Sequence, residues 1–132
     1  MINQSIFKAY DVRGKYPGEL SKEATFKISQ ALGEYFGSGA KIIIGHDARL
    51  SSPTLYKEVL SGVRSRVPDI GCIEAGMITT PMLYFLVNKL KADGGIMITA
   101  SHNPKEYNGL KVVGKNAKPM SGKDILKIMN NE

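Results

Sequence analysis

Short apolar runs alternate with segments of helical periodicity along this chain, and that alternation restricts the possible folds more than any other feature. Lys41-Ile42-Ile43-Ile44-Gly45 is a β-branched run, the mark of a strand buried on both faces. Before it, Ile28, Ala31, Leu32, Tyr35 and Phe36 repeat at i, i+3, i+4, i+7 and i+8, with Ser21 as N-cap, Glu23 in the first turn and Gly37 as the stop. After it, Ser52-Pro53 reads as an N-cap with proline at the first helical position, and Leu55, Val59 and Val63 line a helix ending near Pro68. The cycle repeats through a strand at 70–74, a helix started by Thr80-Pro81 and running from Met82 to Leu90, a turn at Asp93-Gly94-Gly95 and a strand at 96–99. Phe7 to Gly14 reads as a further strand, and Leu110 to Val113 as a short strand returning antiparallel. Ser121 to Asp124 caps a last helix running towards Asn130, and the chain stops at Glu132 with no glycine or proline brake, as a cut or a linker would. Repeated strand–helix units joined by right-handed crossovers predict an α/β fold, three layers of α/β/α with a mixed, mostly parallel sheet, as one domain over residues 1–132.

Composition narrows the function. A hydrophobic fraction of 42% and a mean hydropathy of −0.15 suit a soluble globular chain. No apolar run approaches the roughly 20 residues of a bilayer span, and Met1 to Ser5 has no secretory character, so neither a membrane nor export is expected. Cys72 is the one cysteine, which excludes an intrachain disulfide and fits a reducing cytoplasm. The net charge of +6 favours anionic ligands, but the lysines are scattered and no nucleic-acid motif appears. Phosphorylated small molecules are the expected partners, and nucleic acid is not.

In open α/β sheets, sites gather at the carboxyl ends of the strands. Those ends carry Asp11 to Arg13, His46 to Arg49, Thr79-Thr80 and Ser101-His102-Asn103, so the reactive side chains are expected on one rim. Within Ile98-Thr99-Ala100-Ser101-His102-Asn103-Pro104 a serine hydroxyl stands beside an imidazole and a carboxamide, with Lys111 ten residues on. A phosphorylated serine carries about −1.5 to −2 charges and needs donors and cations around it, which His102, Asn103 and loop N–H groups can supply. Arg13 offers a fork for phosphate oxygens, and Gly14 after it lets the backbone come close. Against these stand plainer readings: Ser101 in an ordinary turn, Lys111 as a solvent-facing strand lysine, Arg13 in a surface ion pair with Asp11. Tyr10 either lines the substrate side of the rim or packs as an aromatic. Asp47 and Arg49 read as a scaffold for the Ser101 loop, with phosphate contact the other option for Arg49. Thr79 and Thr80 read as a helix start, and Met77, Met82 and Met97 as core filling.

The stretch 98–111 closely resembles the phosphoserine signature of the α-D-phosphohexomutases, the phosphomannomutase/phosphoglucomutase superfamily. Residues 7–14, 45–49 and 79–81 are similar to further motifs of that family, in family order. The resemblance implies a phosphoserine-bearing first domain. Ser101 would carry the phosphoryl group, and Lys111, Arg13 and His102 would act with it. Tyr10 and Asn103 would meet substrate, and Mg²⁺ would be held through the Ser101 phosphate. It implies interconversion of hexose 1- and 6-phosphates through a bisphosphorylated sugar, with hexose 1,6-bisphosphate as activator. The family's Asp-Gly-Asp metal loop has no counterpart here, and nothing after residue 114 resembles its second to fourth domains. An isolated chain of this sequence is therefore expected to lack mutase turnover, and the remaining mutase domains are expected partners. The alternative is a stand-alone phosphosugar-binding or regulatory module.

Overall fold

The computed structural model describes residues 2–131, so Glu132, where the last helix was expected to end without a brake, lies outside the described residues. Six strands form one sheet: β1 (Val12–Lys15), β2 (Lys41–His46), β3 (Gly71–Met77), β4 (Gly94–Ile98), β5 (Tyr107–Val113) and β6 (Pro119–Met120). Four helices accompany them: α1 (Lys22–Phe36), α2 (Ser52–Ser65), α3 (Thr80–Lys89) and α4 (Gly122–Met129). The strand order is β1-β5-β4-β2-β3, with β6 pairing β5 beyond β1. β2 pairs in parallel with β3 and β4, and each antiparallel pairing involves β5. Five strands thus run one way and β5 alone runs back, so the sheet is mixed and mostly parallel.

The face of each helix follows from alternation along the strands. Ile42, Ile44, Ile96, Ile98, Leu110 and Val112 point to one side, where Ile28 and Leu32 of α1, Leu55, Val59 and Val63 of α2 and Ile125 of α4 cover them. Ile43, Met97 and Val113 point to the other side, against Leu83 and Val87 of α3. The chain leaves β2 through α2 on one face to reach β3, then returns through α3 on the opposite face to β4 on the far side of β2. Right-handed crossovers require that change of face when the direction of travel reverses. The carboxyl ends of β2 and β4 therefore flank a switch point, the place where open α/β sheets leave a crevice.

Helix boundaries follow their caps. Ser21, Thr79 and Ser121 accept hydrogen bonds from Ala24, Met82 and Asp124, and Ser121 with Asp124 forms a reciprocal capping box. α2 starts one residue earlier than expected. Ser51 is the N-cap and Ser52 the first helical residue, because the Ser52 hydroxyl donates to Asp47 and accepts from Asn108. Helices α1 and α2 touch through glycine. A Cβ on Gly33 would fall 2.3 Å from the Val63 carbonyl oxygen, and one on Gly62 would fall 2.6 Å from the Phe26 carbonyl oxygen.

Some expected boundaries shift. Residues 8–11 form a turn rather than strand, with Lys8 N–H donating to the Asp11 carbonyl at 2.8 Å and Phe7 bridging Val12, so β1 begins only at Val12. Gly94 and Gly95 are the first residues of β4, not a turn; the Phe36 ring and the Val87 side chain fill the space their side chains would take. β3 runs on to Met77 past a bulge at Ala75 and Gly76, where the Gly76 N–H turns to the Tyr56 hydroxyl. Met97 is core as expected, but Met77 and Met82 are 65% and 45% exposed. Met77 ends the edge strand, and Met82 lies on the outer face of α3.

Candidate functional site

The rim at the carboxyl ends of β2 and β4 is organised around the loop from Thr99 to Glu106. Ser101 stands at its tip, exposed, with φ 54° in the left-handed region that non-glycine residues seldom occupy. Its N–H donates to the Thr99 hydroxyl at 3.0 Å and its carbonyl accepts from Arg49 at 2.9 Å. These bonds run through the main chain and leave the hydroxyl of this exposed residue uncommitted. Ser101, His102, Thr99, Asp47, Thr80 and Met97 border a concavity of about 610 Å³. A concavity of about 510 Å³ between α1 and α4, lined by Lys27, Glu34 and Arg66, has neither a nucleophile nor strand ends beside it. Chemistry, not depth, marks the rim as the site.

Arg49 holds the loop's shape. Its Nη1 donates to the carbonyls of Pro104 (2.7 Å) and Tyr107 (3.1 Å), its Nη2 to those of Ser101 (2.9 Å) and Asn103 (2.8 Å), and its Nε to Asp47 at 3.3 Å. A guanidinium has five N–H donors, and all are engaged. Arg49 is thus a scaffold, as the sequence suggested, and has no donor left for phosphate. Asp47 is itself fixed by the Arg49 N–H and the Ser52 hydroxyl. Below the loop, Asn108 is fully buried and donates to the Ser51 and Ser52 hydroxyls, which ties the start of β5 to the start of α2.

Arg13 approaches from β1. Its register partner on β5 is Gly109, where a Cβ would meet the Arg13 Cγ at 2.8 Å and the Val12 carbonyl oxygen at 2.2 Å. Glycine there lets the arginine lie across the strand to the loop, where its Nη1 donates to the Asn103 side chain at 2.6 Å. Its Nε donates to Asp11 at 2.9 Å. The ion pair weighed as the plain reading of Arg13 therefore exists, while the other end of the guanidinium reaches the loop. Gly14 serves packing rather than phosphate approach: it is buried against Ile6, Glu19 and Leu20.

Lys111 sits opposite Met97 on the α3 face, its side chain 24% exposed, with Nζ 3.8 Å from the second Asp11 oxygen. It is not a fully solvated strand lysine. Asp11 is 2% exposed, and although its pair with Arg13 is legible in the sequence, its burial and its approach to Lys111 are not, since that approach depends on the β1–β5 register. Its charge reaches α3: burial first, and then the Asp11 carboxylate, raises Tyr84 above the ordinary phenol value. Of the residues singled out beforehand, Ser101, His102, Asn103, Arg13 and Lys111 meet on or just under this rim. Tyr10 stands apart, 77% exposed in the 8–11 turn and part of neither hydrophobic cluster.

Comparison with known proteins is decisive at this point. Residues 4–131 match the family model described as "Phosphoglucomutase/phosphomannomutase, alpha/beta/alpha domain I". The chain belongs to this family, as its domain I. It is 42% identical over 122 residues to a phosphomannomutase of Klebsiella pneumoniae, covering 92% of this chain and 76% of that one. It is 43% identical over 115 residues to a protein named "Phosphohexose mutases" of Xanthomonas campestris pv. campestris (strain B100), covering 87% of this chain and 25% of that one. A crystal structure of a phosphoglucomutase/phosphomannomutase family protein from Burkholderia thailandensis superposes with a TM-score of 0.85 at 32% identity, over 99% of this chain and 30% of that one. The chain thus spans about a quarter of the length of the Xanthomonas relative, and a structure of the family shares its fold throughout.

Mg²⁺ is the ion the resemblance implies for this rim. Mg²⁺ takes octahedral oxygen ligands, mostly carboxylate, phosphate and water. Asp47 and Asp11, the carboxylates that stand with the Ser101 loop, already accept from Arg49, Ser52 and Arg13. Among the described residues no group of three His, Cys, Asp or Glu side chains could hold a metal ion. These donors alone do not fit a Mg²⁺ site. No described helix is long and apolar enough to cross a membrane.

Proposed function

We propose that this chain is the phosphoserine-bearing catalytic domain of a phosphomannomutase/phosphoglucomutase, with Ser101 as the phosphoryl carrier. One observation carries the reading: Ser101 stands exposed at the concavity on a loop whose carbonyls are held by Arg49, with Arg13 and Lys111 behind it. Phosphoryl transfer depends chiefly on position and charge neutralisation, and this arrangement supplies both. In the forward direction a hydroxyl oxygen of a hexose phosphate attacks the phosphorus on Ser101. The new sugar O–P bond forms, the Oγ–P bond breaks, and the sugar hydroxyl's proton passes to the serine side. The bisphosphorylated sugar then returns its other phosphate by the reverse sequence, which nets a 1- to 6-phosphate interconversion. Lys111 relays the proton or remains as fixed charge, Arg13 clamps phosphoryl oxygens through its outer Nη edge, and His102 donates from the open side. Asn103 meets the substrate through its amide N–H groups, its carbonyl oxygen being taken by Arg13. Tyr10 reaches the sugar only from the edge of the sheet.

The carboxylates for Mg²⁺ and the walls that close over the sugar belong, in this reading, to further mutase domains acting together with these residues in the cytoplasm. Hexose 1,6-bisphosphate is the activator that loads Ser101. The experiment is a coupled assay of hexose 1-phosphate to 6-phosphate conversion. The purified 132-residue chain is expected to be inactive, and to gain turnover when a relative's later domains are added. Conversion by the chain alone overturns the shared-site reading. Bisphosphate binding that survives Ser101→Ala, with no turnover on adding those domains, overturns the transfer reading in favour of a binding module.

A further inference from the structure

We propose that Asp11 is a positioning residue of this site: its buried carboxylate sets Arg13 and Lys111 in place beside the Ser101 loop, so that both positive charges face a phosphoryl group carried there. The inference rests on the phosphoryl-carrier reading of Ser101.

An ionised carboxylate withdrawn from water costs several kcal/mol unless it is paired, and at 2% exposure Asp11 is so withdrawn. Its pairs divide by atom. Oδ1 accepts from Arg13 Nε at 2.9 Å, and Oδ2 lies 3.8 Å from Lys111 Nζ. The contact to Arg13 falls on Nε, the inner donor of the fork, so it fixes the plane of the guanidinium without covering its outer edge. One donor on that edge goes to Asn103, which leaves the other Nη donors uncommitted. The longer contact to Lys111 is charge attraction more than a hydrogen bond, and it leaves the ammonium able to turn towards a ligand. Two cations on neighbouring strands repel each other, and a single carboxylate between them offsets this while leaving a net positive charge. That remaining charge suits a phosphoserine of about −2. Of the site's two arginines, Arg49 is fully spent on the loop, so guanidinium contact with the phosphoryl group depends on Arg13.

The test is Asp11→Asn, which keeps an oxygen to accept from Arg13 and replaces the charged oxygen facing Lys111 with a neutral amide NH2. Phosphoryl uptake at Ser101 from hexose 1,6-bisphosphate is followed by quenched intact-mass measurement over a range of bisphosphate concentrations. The expected result is a maximal rate at least tenfold lower, a half-saturating concentration within about twofold of wild type, and little change in melting temperature. A wild-type maximal rate in the variant overturns the proposal. So does a loss that tracks the unfolded fraction, since that marks a purely structural role. If the variant does not fold, the wild-type Arg13 Nε–H resonance, assigned by loss in Arg13→Lys, decides: slow exchange with water supports the buried pair, and exchange as fast as an exposed arginine's overturns it. A wild-type chain that takes up no phosphate even with a relative's later domains present is a different failure, seen before any variant is compared. It removes the reading of Ser101 and this proposal together.

Discussion

Arg49 and Ser101 show how a site is built from single residues. The serine is held in an uncommon backbone conformation, and the arginine secures four carbonyls around it. Lysine in place of that arginine keeps the charge but cannot span them. Arg49→Lys is therefore expected to cost about 1–3 kcal/mol in a denaturant melt and to slow phosphoryl uptake at Ser101 by roughly tenfold or more. Uptake at the wild-type rate would show that the loop keeps its shape without the fork. Much of this was legible in the chain: the 98–111 and 45–49 motifs pointed to the serine, the lysine and the scaffold arginine. Asp11 was not, because a carboxylate two residues before an arginine reads as a surface pair until the register places Lys111 beside it. Nor does sequence show that all five Arg49 donors are spent, which is what closes the option of phosphate contact.

Elements were read well where a cap or a period marks them and poorly where glycine does. Ser21, Thr79 and Ser121 stand at the helix starts expected of them, whereas Gly94 and Gly95 look like a turn until Phe36 and Val87 are seen to occupy their side-chain space. Gly33 and Gly62 interrupt two helices at some cost in propensity and repay it by letting α1 and α2 close on each other. Gly33→Ala is expected to destabilise by about 2 kcal/mol, since overpacking outweighs the gain in propensity. Gly18→Ala, with open space around it, is the near-neutral control in the same thermal melts. The α4 capping box gives a pH dependence. Hydrogen bonds from the Ser121 backbone, then from its side chain, hold Asp124 below its ordinary value of 3.8. A depressed folded-state pKa means the stabilisation is present above that ordinary value and is lost as pH falls through the lower, folded-state one. The stability difference between wild type and Asp124→Ala, about 0.5–1 kcal/mol at neutral pH for an exposed cap, should therefore shrink as pH falls below the ordinary carboxylate range in urea titrations. A gap that stays constant would mean that the carboxylate's charge has no part in the cap.

For the whole molecule, the strand order explains why residues distant in sequence meet. Placing β5 between β1 and β4 brings Arg13 and Lys111 under the loop that leaves β4, and the reversal of direction around β2 sets Asp47 and Arg49 beside it. Alternation of strands and helices announced the layers and the mostly parallel sheet, but not this order, which depends on which strand edges find each other. The rim so formed has a nucleophile, two cations and a secured loop, yet its carboxylates are spent on arginines and a serine. That asymmetry is why the account gives the chain the phosphoryl carrier and leaves the metal to other domains. The most direct measurement is intact mass with peptide mapping of the chain before and after incubation with hexose 1,6-bisphosphate and Mg²⁺, beside Ser101→Ala. The account predicts one added phosphoryl group, mapped to Ser101 and missing from the variant. A phosphoryl group on another residue, or none on the wild-type chain with a relative's later domains present, would contradict it.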